Sequence, residues 1–584
     1  VQLDGDSAAA RRRDRLATGL AFALPLGLYV LTATRTVQGG DAGEFILVAV
    51  RGGVPHPPGY PLYTLLARLA AALPLGPPAL RVALLSAVCG AATVALLQRL
   101  LTRLTGSLLA GLAAALAFAV APIQWQLAGL PEVFSLGALL AVAALFAAWQ
   151  LGTATGRARA PAVALGLAFG LGLANHHTIV LCAPVALWAL AARARRAGGR
   201  ALAAACGWAA LGALLGLACY LYLPLAARGA SPETWVWGEP ASARGLLRHV
   251  LRAEYGTFKL GLYRHAARPL HNLGAFAATL PRAFFYVYFA AALIGLWAGL
   301  RRARGFALGL LASFLLAGGA FLAVFNLPAS AVARAVAARF YLLPTVLLTP
   351  FAAFGLAAIG PRLSPLGRRL LLLAPLPLAA VASFGGANWR GDPTIERYLA
   401  AAVQELAPQA VILGHGDLEG FGFDYVREVL RLRPDVRYVD VELIRLPWYH
   451  ARVQRALPGV RVPYDARHTP LLPLVDAVRQ HHPTYVTASL APLLGRVSLY
   501  PEGLLARVAP DGAPPPPPDE LEAAATRALR ALGNLPDAPA DPWSAYLRGA
   551  AAQPWEILGG AFAARGEGAR AGACLSRARA LRGR

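Results

Sequence analysis

Long apolar runs parted by short polar connections set the rhythm of residues 16–386, and each is close to the length a helix needs to cross a bilayer. The first, Leu16 to Thr34, follows the basic cluster "RRRDR" with no small-residue cleavage site, so a retained signal anchor is expected. Further spans are expected near 79–101, 106–122, 131–151, 160–174, 177–192, 201–223, 276–300, 305–325, 338–358 and 369–386, roughly eleven in all. The two within 160–192 are short, as tilted or broken helices would be.

Past residue 387 the pattern changes. "AVILGHG" and "VRYVDVELI" read as strands, "GFDYVREVLRLR" as a helix, and "LVDAVRQHHPTYVTASL" as a helix followed by a strand. The fold class expected is therefore mainly α: a polytopic transmembrane domain over 15–386, then an α/β domain over 387–512. Residues 513–584 open with a stiff "PPPPP" linker at 514–518. They continue as "WEILGGAFAARGEGARAGACLSRARAL", with the small-residue spacing of a helical hairpin resembling one tetratricopeptide unit.

Composition agrees, since 57% hydrophobic and 15% charged residues place the chain among multi-pass membrane proteins. The net charge of +25 does not indicate a nucleic-acid partner, because the arginines of the N-terminal part cluster in connections between apolar runs. Arg99 and Arg103, Arg157 and Arg159, Arg193, Arg195 and Arg196, Arg301, Arg302 and Arg304, and Arg362, Arg368 and Arg369 all fall on one side, which the positive-inside rule makes cytoplasmic together with residues 1–14. An odd span count then puts everything after 387 outside, which is the periplasm if the cell is a diderm bacterium; the composition looks bacterial, and the inner (plasma) membrane is the expected location. The five cysteines show neither CxxC nor metal-ligand spacing, so neither a disulfide framework nor a zinc site is indicated.

The outer connections carry the unusual chemistry. In "GGDAGEFILVAVRGGVPHPPGYPLY" (39–63), Asp41 and Glu44 lie three apart, hence on one face of a helix that begins near Asp41. Spacing alone leaves two readings open: a carboxylate pair for catalysis, or an N-cap with its capping partner. The prolines and glycine of "HPPGYPLY" fix an irregular backbone that holds His56 and Tyr60 near the acids.

"GDAGEF" followed by "HPPGYPLY" resembles the domain-of-unknown-function 2723 family, which includes the transmembrane protein 260 type of protein O-mannosyltransferases of the GT-C superfamily. "PEVFSLGALL" (131–140), "GLANHHTIVL" (172–181), "LPLAARGASPETWVWGEP" running on to "HVLRAEYGTF" (223–258) and "LRPDVRYVDVELIRLPWYH" (432–450) resemble its later motifs in order. The resemblance implies a sugar passed from a polyprenyl-phosphate carrier to an acceptor, protein or glycan, on the outer face of the membrane. It makes Asp41 the expected base and Glu44 the reserve or an acceptor-orienting partner, since inverting transfer needs a carboxylate for the acceptor proton.

Fixed positive charge and donors favour a phosphate leaving group, so Arg334, Arg339, Arg252 and the His176/His177 pair are candidates. The histidines rank lowest, because adjacent side chains on a regular helix face apart. Arg334 and Arg339 are equally open to an interfacial snorkelling role. Glu132 is either a second cavity carboxylate or a helix-terminal charge, and Tyr255 joins Arg252 as a substrate-binding candidate in its motif. Trp235, Trp237 and Glu239 suit sugar contacts, although the two tryptophans more simply mark a membrane interface.

No metal-ligand constellation is visible, which accords with a metal-independent transfer, and no cofactor is expected beyond the lipid-linked sugar donor. A multi-pass transporter or lipid-carrier flippase is the alternative; outer connections that gather their chemistry on one side, without inverted repeats, speak against it. A non-catalytic membrane scaffold is a third reading.

Overall fold

The computed structural model describes residues 8–257, 268–326, 330–495, 497–510, 516–535 and 543–583. The first residues of the expected N-terminal tail and the first prolines of the 514–518 linker lie outside them.

Ala and Leu, strong helix formers, make most of the chain helical, and serines close several helix starts. Ser107 accepts from the Ala110 N–H, Ser330 from Ala333 and Ser364 from Gly367. Among the described residues seven helices are long and apolar enough to cross a membrane: Ala8–Thr32, Pro78–Thr105, Phe134–Thr153, His177–Arg228, Arg304–Ala323, Leu342–Arg362 and Pro365–Ala387. Counting two bent pairs as spans raises this to nine; Leu108–Ala119 meets Pro122–Ala128 at 64°, and Pro269–Ala283 meets Val287–Arg302 at 105°.

The difference from the eleven expected has a local origin. Arg159–Asn175 is apolar but only 17 residues long. The stretches expected at 177–192 and 201–223 run on as one helical segment, broken only at Gly198, where φ is +79°. The "RARRAGGR" connection, where a loop was expected, is helical on either side of that kink.

Small residues draw these helices together. A Cβ on Gly166 would lie 1.8 Å from the Ala209 carbonyl oxygen, and one on Gly212 2.2 Å from that of Val163. This is the small-xxx-small packing that membranes favour where no hydrophobic drive exists between helices. Leu187, Leu211, Leu214 and Leu215 stay exposed on the outer surface, as a lipid-facing side requires. At one end the arginine connections tie to neighbouring helix ends: Arg302 donates to the Leu104 carbonyl at 3.2 Å and Arg193 to that of Ala154 at 3.2 Å.

The opposite end carries a mixed sheet of order β2-β1-β3-β5-β4, with β1 Val411–Gly414, β2 Arg437–Asp440, β3 Thr484–Val486, β4 Leu499–Glu502 and β5 Leu505–Val508. β1 is flanked in parallel by β2 and β3, pairing Val411 with Arg437 on one side and Thr484 on the other. The 387 boundary expected from sequence does not separate two cores. Phe45 and Ile46 of helix Ala42–Arg51 share a cluster with Tyr398, Ile412 and Phe423, while Leu47 and Val48 share one with Trp235, Val411 and Trp448. Each such buried side chain contributes about 1.5–3 kcal/mol, so helix Ala42–Arg51 is anchored in the α/β unit. The last helices, Ser544–Ala564 and Gly568–Arg582, form a hairpin packed on Tyr500 of β4.

Candidate functional site

Asp41 sits at the N-terminus of helix Ala42–Arg51 without capping it through its side chain, and Glu44 one turn on is fully buried. The capping-box reading is thereby excluded, because Glu44 spends its oxygens elsewhere. It accepts from the His56 backbone N–H at 2.9 Å, the His56 ring Nδ1 at 2.5 Å and the Trp235 indole Nε1 at 2.8 Å. His56 Nε2 lies 2.9 Å from the Tyr60 hydroxyl. Burial opposes charge on His56, but Glu44 and Asp41 outweigh it and push its pKa up to about 9. At neutral pH His56 is therefore an imidazolium, donating from Nδ1 to Glu44 and from Nε2 to Tyr60. Gly59 holds this turn at φ +90°, and a Cβ there would come within 2.8 Å of Leu223 and 2.9 Å of His249.

Arg339 closes helix Ala331–Arg339 and bridges two carboxylates through Nη1, at 2.8 Å to Asp41 Oδ2 and 2.6 Å to Glu132 Oε1. Glu132 is held at the head of helix Phe134–Thr153, where Ser86 binds its carbonyl and Asn175 that of Val133. Burial works to raise Asp41, yet Arg339 and His56 hold it below the usual carboxylate range. For Glu132 burial prevails over Arg339 and, with Asp41 beside it, pushes the pKa up to about 7. Arg339 is thus half-buried and paired with two acids, which speaks against the snorkelling role. Arg334, five residues earlier on the same helix, is exposed.

His176 ends helix Arg159–Asn175 and packs on Tyr60, Phe134 and Phe340 with ring centroids 6.0, 5.4 and 5.7 Å away. Burial and then the charge of Arg252 keep it neutral. His177 points elsewhere, 3.1 Å from the Tyr220 hydroxyl. Arg252 lies over the Tyr255 ring at 5.2 Å, and an apolar pocket lined by Phe134, Gly137, Ala141, His176, Ile179 and Leu343 opens beside His176.

The interfacial reading of Trp235 and Trp237 is corrected. Both are buried, and Trp237 donates to Glu254 at 2.8 Å and stacks on Tyr255 with centroids 6.1 Å apart. Hydropathy cannot tell a core indole from a lipid-facing one, and a buried carboxylate as partner decides it here. Glu239 is exposed.

The sequence reading missed Glu254, which also accepts from Trp448 at 3.1 Å, and Asp417, the first residue of helix Asp417–Glu428. Asp417 stands near Asp41: desolvation by the surrounding chain, then the Asp41 charge, push its pKa up to about 7, while its side chain keeps contact with solvent. The available signal was "GHGD" at 414–417, a turn directly after the end of a strand that proves parallel on both sides. Among the described residues no group of three or more His, Cys, Asp and Glu converges as metal ligands would.

Residues 41–198 match the model of the protein O-mannosyl-transferase TMEM260 N-terminal domain. Over these residues the chain is similar to the TMEM260 family. Protein O-mannosyl-transferase TMEM260 of Mus musculus is 32% identical over 467 residues, covering 76% of this chain and 65% of the mouse protein. The Dictyostelium discoideum protein O-mannosyl-transferase tmem260 is 25% identical over 512 residues, covering 79% and 62%. The chain thus spans just under two thirds of the length of these TMEM260 relatives. In fold it is similar to ArnT from Cupriavidus metallidurans bound to undecaprenyl phosphate, at a TM-score of 0.52 and 14% identity over 85% of this chain and 99% of that one. The two chains share a fold over most of their lengths.

Proposed function

We propose that this TMEM260 relative is an integral-membrane glycosyltransferase that moves mannose or a similar hexose from a polyprenyl-phosphate carrier to a serine or threonine hydroxyl on the outer face of a bacterial plasma membrane. The observation that carries the reading is Arg339 held between Asp41 and Glu132, beside the apolar pocket at His176, at the end of the bundle away from the arginine connections. The names of the relatives and the lipid phosphate in the ArnT structure support it.

Asp41 takes the proton of the acceptor hydroxyl while that oxygen bonds the anomeric carbon, and the carbon–oxygen bond to the lipid phosphate breaks on the opposite face. Both Arg339 contacts use Nη1, so its Nη2 and Nε edge is the one that meets the leaving phosphate. Arg252 adds a second charge from the side of Tyr60 and His176. Glu44 and His56 fix the cavity wall. In this reading eleven segments cross the membrane, the α/β unit and the tetratricopeptide-like hairpin lie outside, and no metal takes part.

The test is purified protein in lipid nanodiscs supplied with a panel of labelled polyprenyl-phosphate sugars and Ser/Thr peptides. One sugar donor is expected to be consumed with label moving to peptide. Consumption of none overturns the reading.

A further inference from the structure

Among the described residues the carboxylates near Asp41 other than Asp417 each hold at least one protein donor, although Glu132 leaves its buried Oε2 without one. Asp41 and Glu132 share Arg339, and Glu44 is filled by His56 and Trp235. Glu254 takes two indole N–H groups. Deeper in the α/β unit, Glu419 accepts from the His415 N–H and Ser489, and Asp440 from the N–H groups of Glu442, Leu443 and Gly416. Among the described residues Asp417 makes no ion pair or hydrogen bond through its carboxylate, only longer-range charge interactions, and its side chain keeps contact with solvent.

Its position is set firmly from both sides. Helix Asp417–Glu428 lies so close on helix Ala42–Arg51 that a Cβ on Gly43 would stand 2.7 Å from the Phe421 carbonyl oxygen. One turn past Asp417, Phe421 stacks on His56 at 6.2 Å and 19°. Asp417 also follows the C-terminal end of β1, the strand from which the chain winds to β2 on one side and β3 on the other. Crevices at such switch points are where α/β sheets bind ligands. Arg252 and Arg339 supply the cationic side of the cavity, and Asp417 stands across Asp41 from the α/β side.

We propose that Asp417 is a positioning residue for the acceptor: its uncommitted carboxylate accepts a hydrogen bond from the incoming Ser/Thr peptide and holds the reacting hydroxyl in front of Asp41. The α/β unit is then part of the transfer centre. This rests on the glycosyltransferase reading above and adds to it the group that selects the acceptor side.

The experiment compares wild type, Asp417→Asn and Asp417→Glu, full chain in nanodiscs, using the sugar donor consumed by wild type and its best Ser/Thr peptide. Loss of a charged hydrogen-bond partner is expected to raise the peptide KM roughly tenfold to a hundredfold, with donor Kd within about twofold and partial recovery in Asp417→Glu. A structural role alone would not move the pH profile. Asp417 faces Asp41, His56, Arg339 and Asp440, with its pKa pushed up to about 7, and its ionised form is the acceptor of the hydrogen bond. Wild-type kcat/KM for peptide should therefore fall as pH drops through about 7, and that limb should vanish in Asp417→Asn. Unchanged peptide KM and an unchanged acidic limb, in protein that transfers sugar normally, overturn the inference alone. Wild type that consumes no donor overturns it together with the reading it rests on.

Discussion

On the bundle side of the cavity Asp41 shares a single arginine with Glu132, while on the α/β side Glu44, three residues later on the same helix, is saturated by His56 and Trp235. The first carboxylate is half-buried and its partner comes from another segment; the second is fully buried and its donors come from the loops it fixes. Like residues one turn apart are thereby divided by their partners. A carboxylate whose counter-ion a phosphate can engage suits chemistry, and one enclosed by its own scaffold suits architecture.

The sharpest way to break this contrast is Asp41→Asn. Removing a general base costs about 10²–10⁴-fold in rate, and the neutral amide keeps the side chain's shape. Sugar transfer in nanodiscs should fall by that factor while the melting temperature changes little; wild-type turnover would remove Asp41 as the base.

Glu44→Gln should do the reverse, striking stability first. Breaking a buried ion pair by neutralising one member costs about 3–5 kcal/mol, here because the His56 imidazolium loses its counter-charge. The sign of the pH dependence follows from a folded pKa of about 9, above the unfolded value of 6.5. The pair's stabilisation is fully present below about pH 6.5 and is lost as pH rises through about 9. Melting in detergent at pH 6, 7.5 and 9.5 should show wild type weakening across that window and Glu44→Gln flat. A wild-type curve without that decline would argue against a charged His56.

Arg339→Ala tests the bundle side from its cation. Charge-assisted hydrogen bonds contribute about 1.5–3 kcal/mol, so donor Kd should rise roughly tenfold to a hundredfold, with a smaller change in acceptor KM. Arg334→Ala serves as the comparison, since that exposed residue lies on the same helix. Equal effects on donor binding would undo the assignment.

The sequence made the two sides unequally legible. Spans were readable because hydrophobic length reports membrane thickness, and Asp41, Glu44, His56 and Tyr60 were readable because a proline-rich turn lies beside them in sequence. The Arg339 bridge was reached only as one candidate among several, for its partner Asp41 is 298 residues away. Glu254 was missed because its value comes from two indoles, 17 and 194 residues distant. Asp417 was missed for a related reason: nothing local to "GHGD" tells that the helix it opens lies against Gly43. The number of spans was less legible than their positions, since Arg159–Asn175 is short and only a kink at Gly198 parts the stretches expected at 177–192 and 201–223.

The smallest effect belongs to Trp235→Phe, and its smallness is informative. The substitution keeps most of the ring in its buried place and deletes only the Nε1 hydrogen bond to Glu44 Oε1. That oxygen still accepts from the His56 backbone N–H, so the loss is one partner and not the last one. A single such bond is worth about 0.5–1.5 kcal/mol net, hence a modest drop in melting temperature and transfer nearly intact. A collapse of transfer with unchanged stability would instead place the indole N–H, and with it Glu44, among the groups that act on substrate. The division between the chemical and the architectural carboxylate would then have to be redrawn.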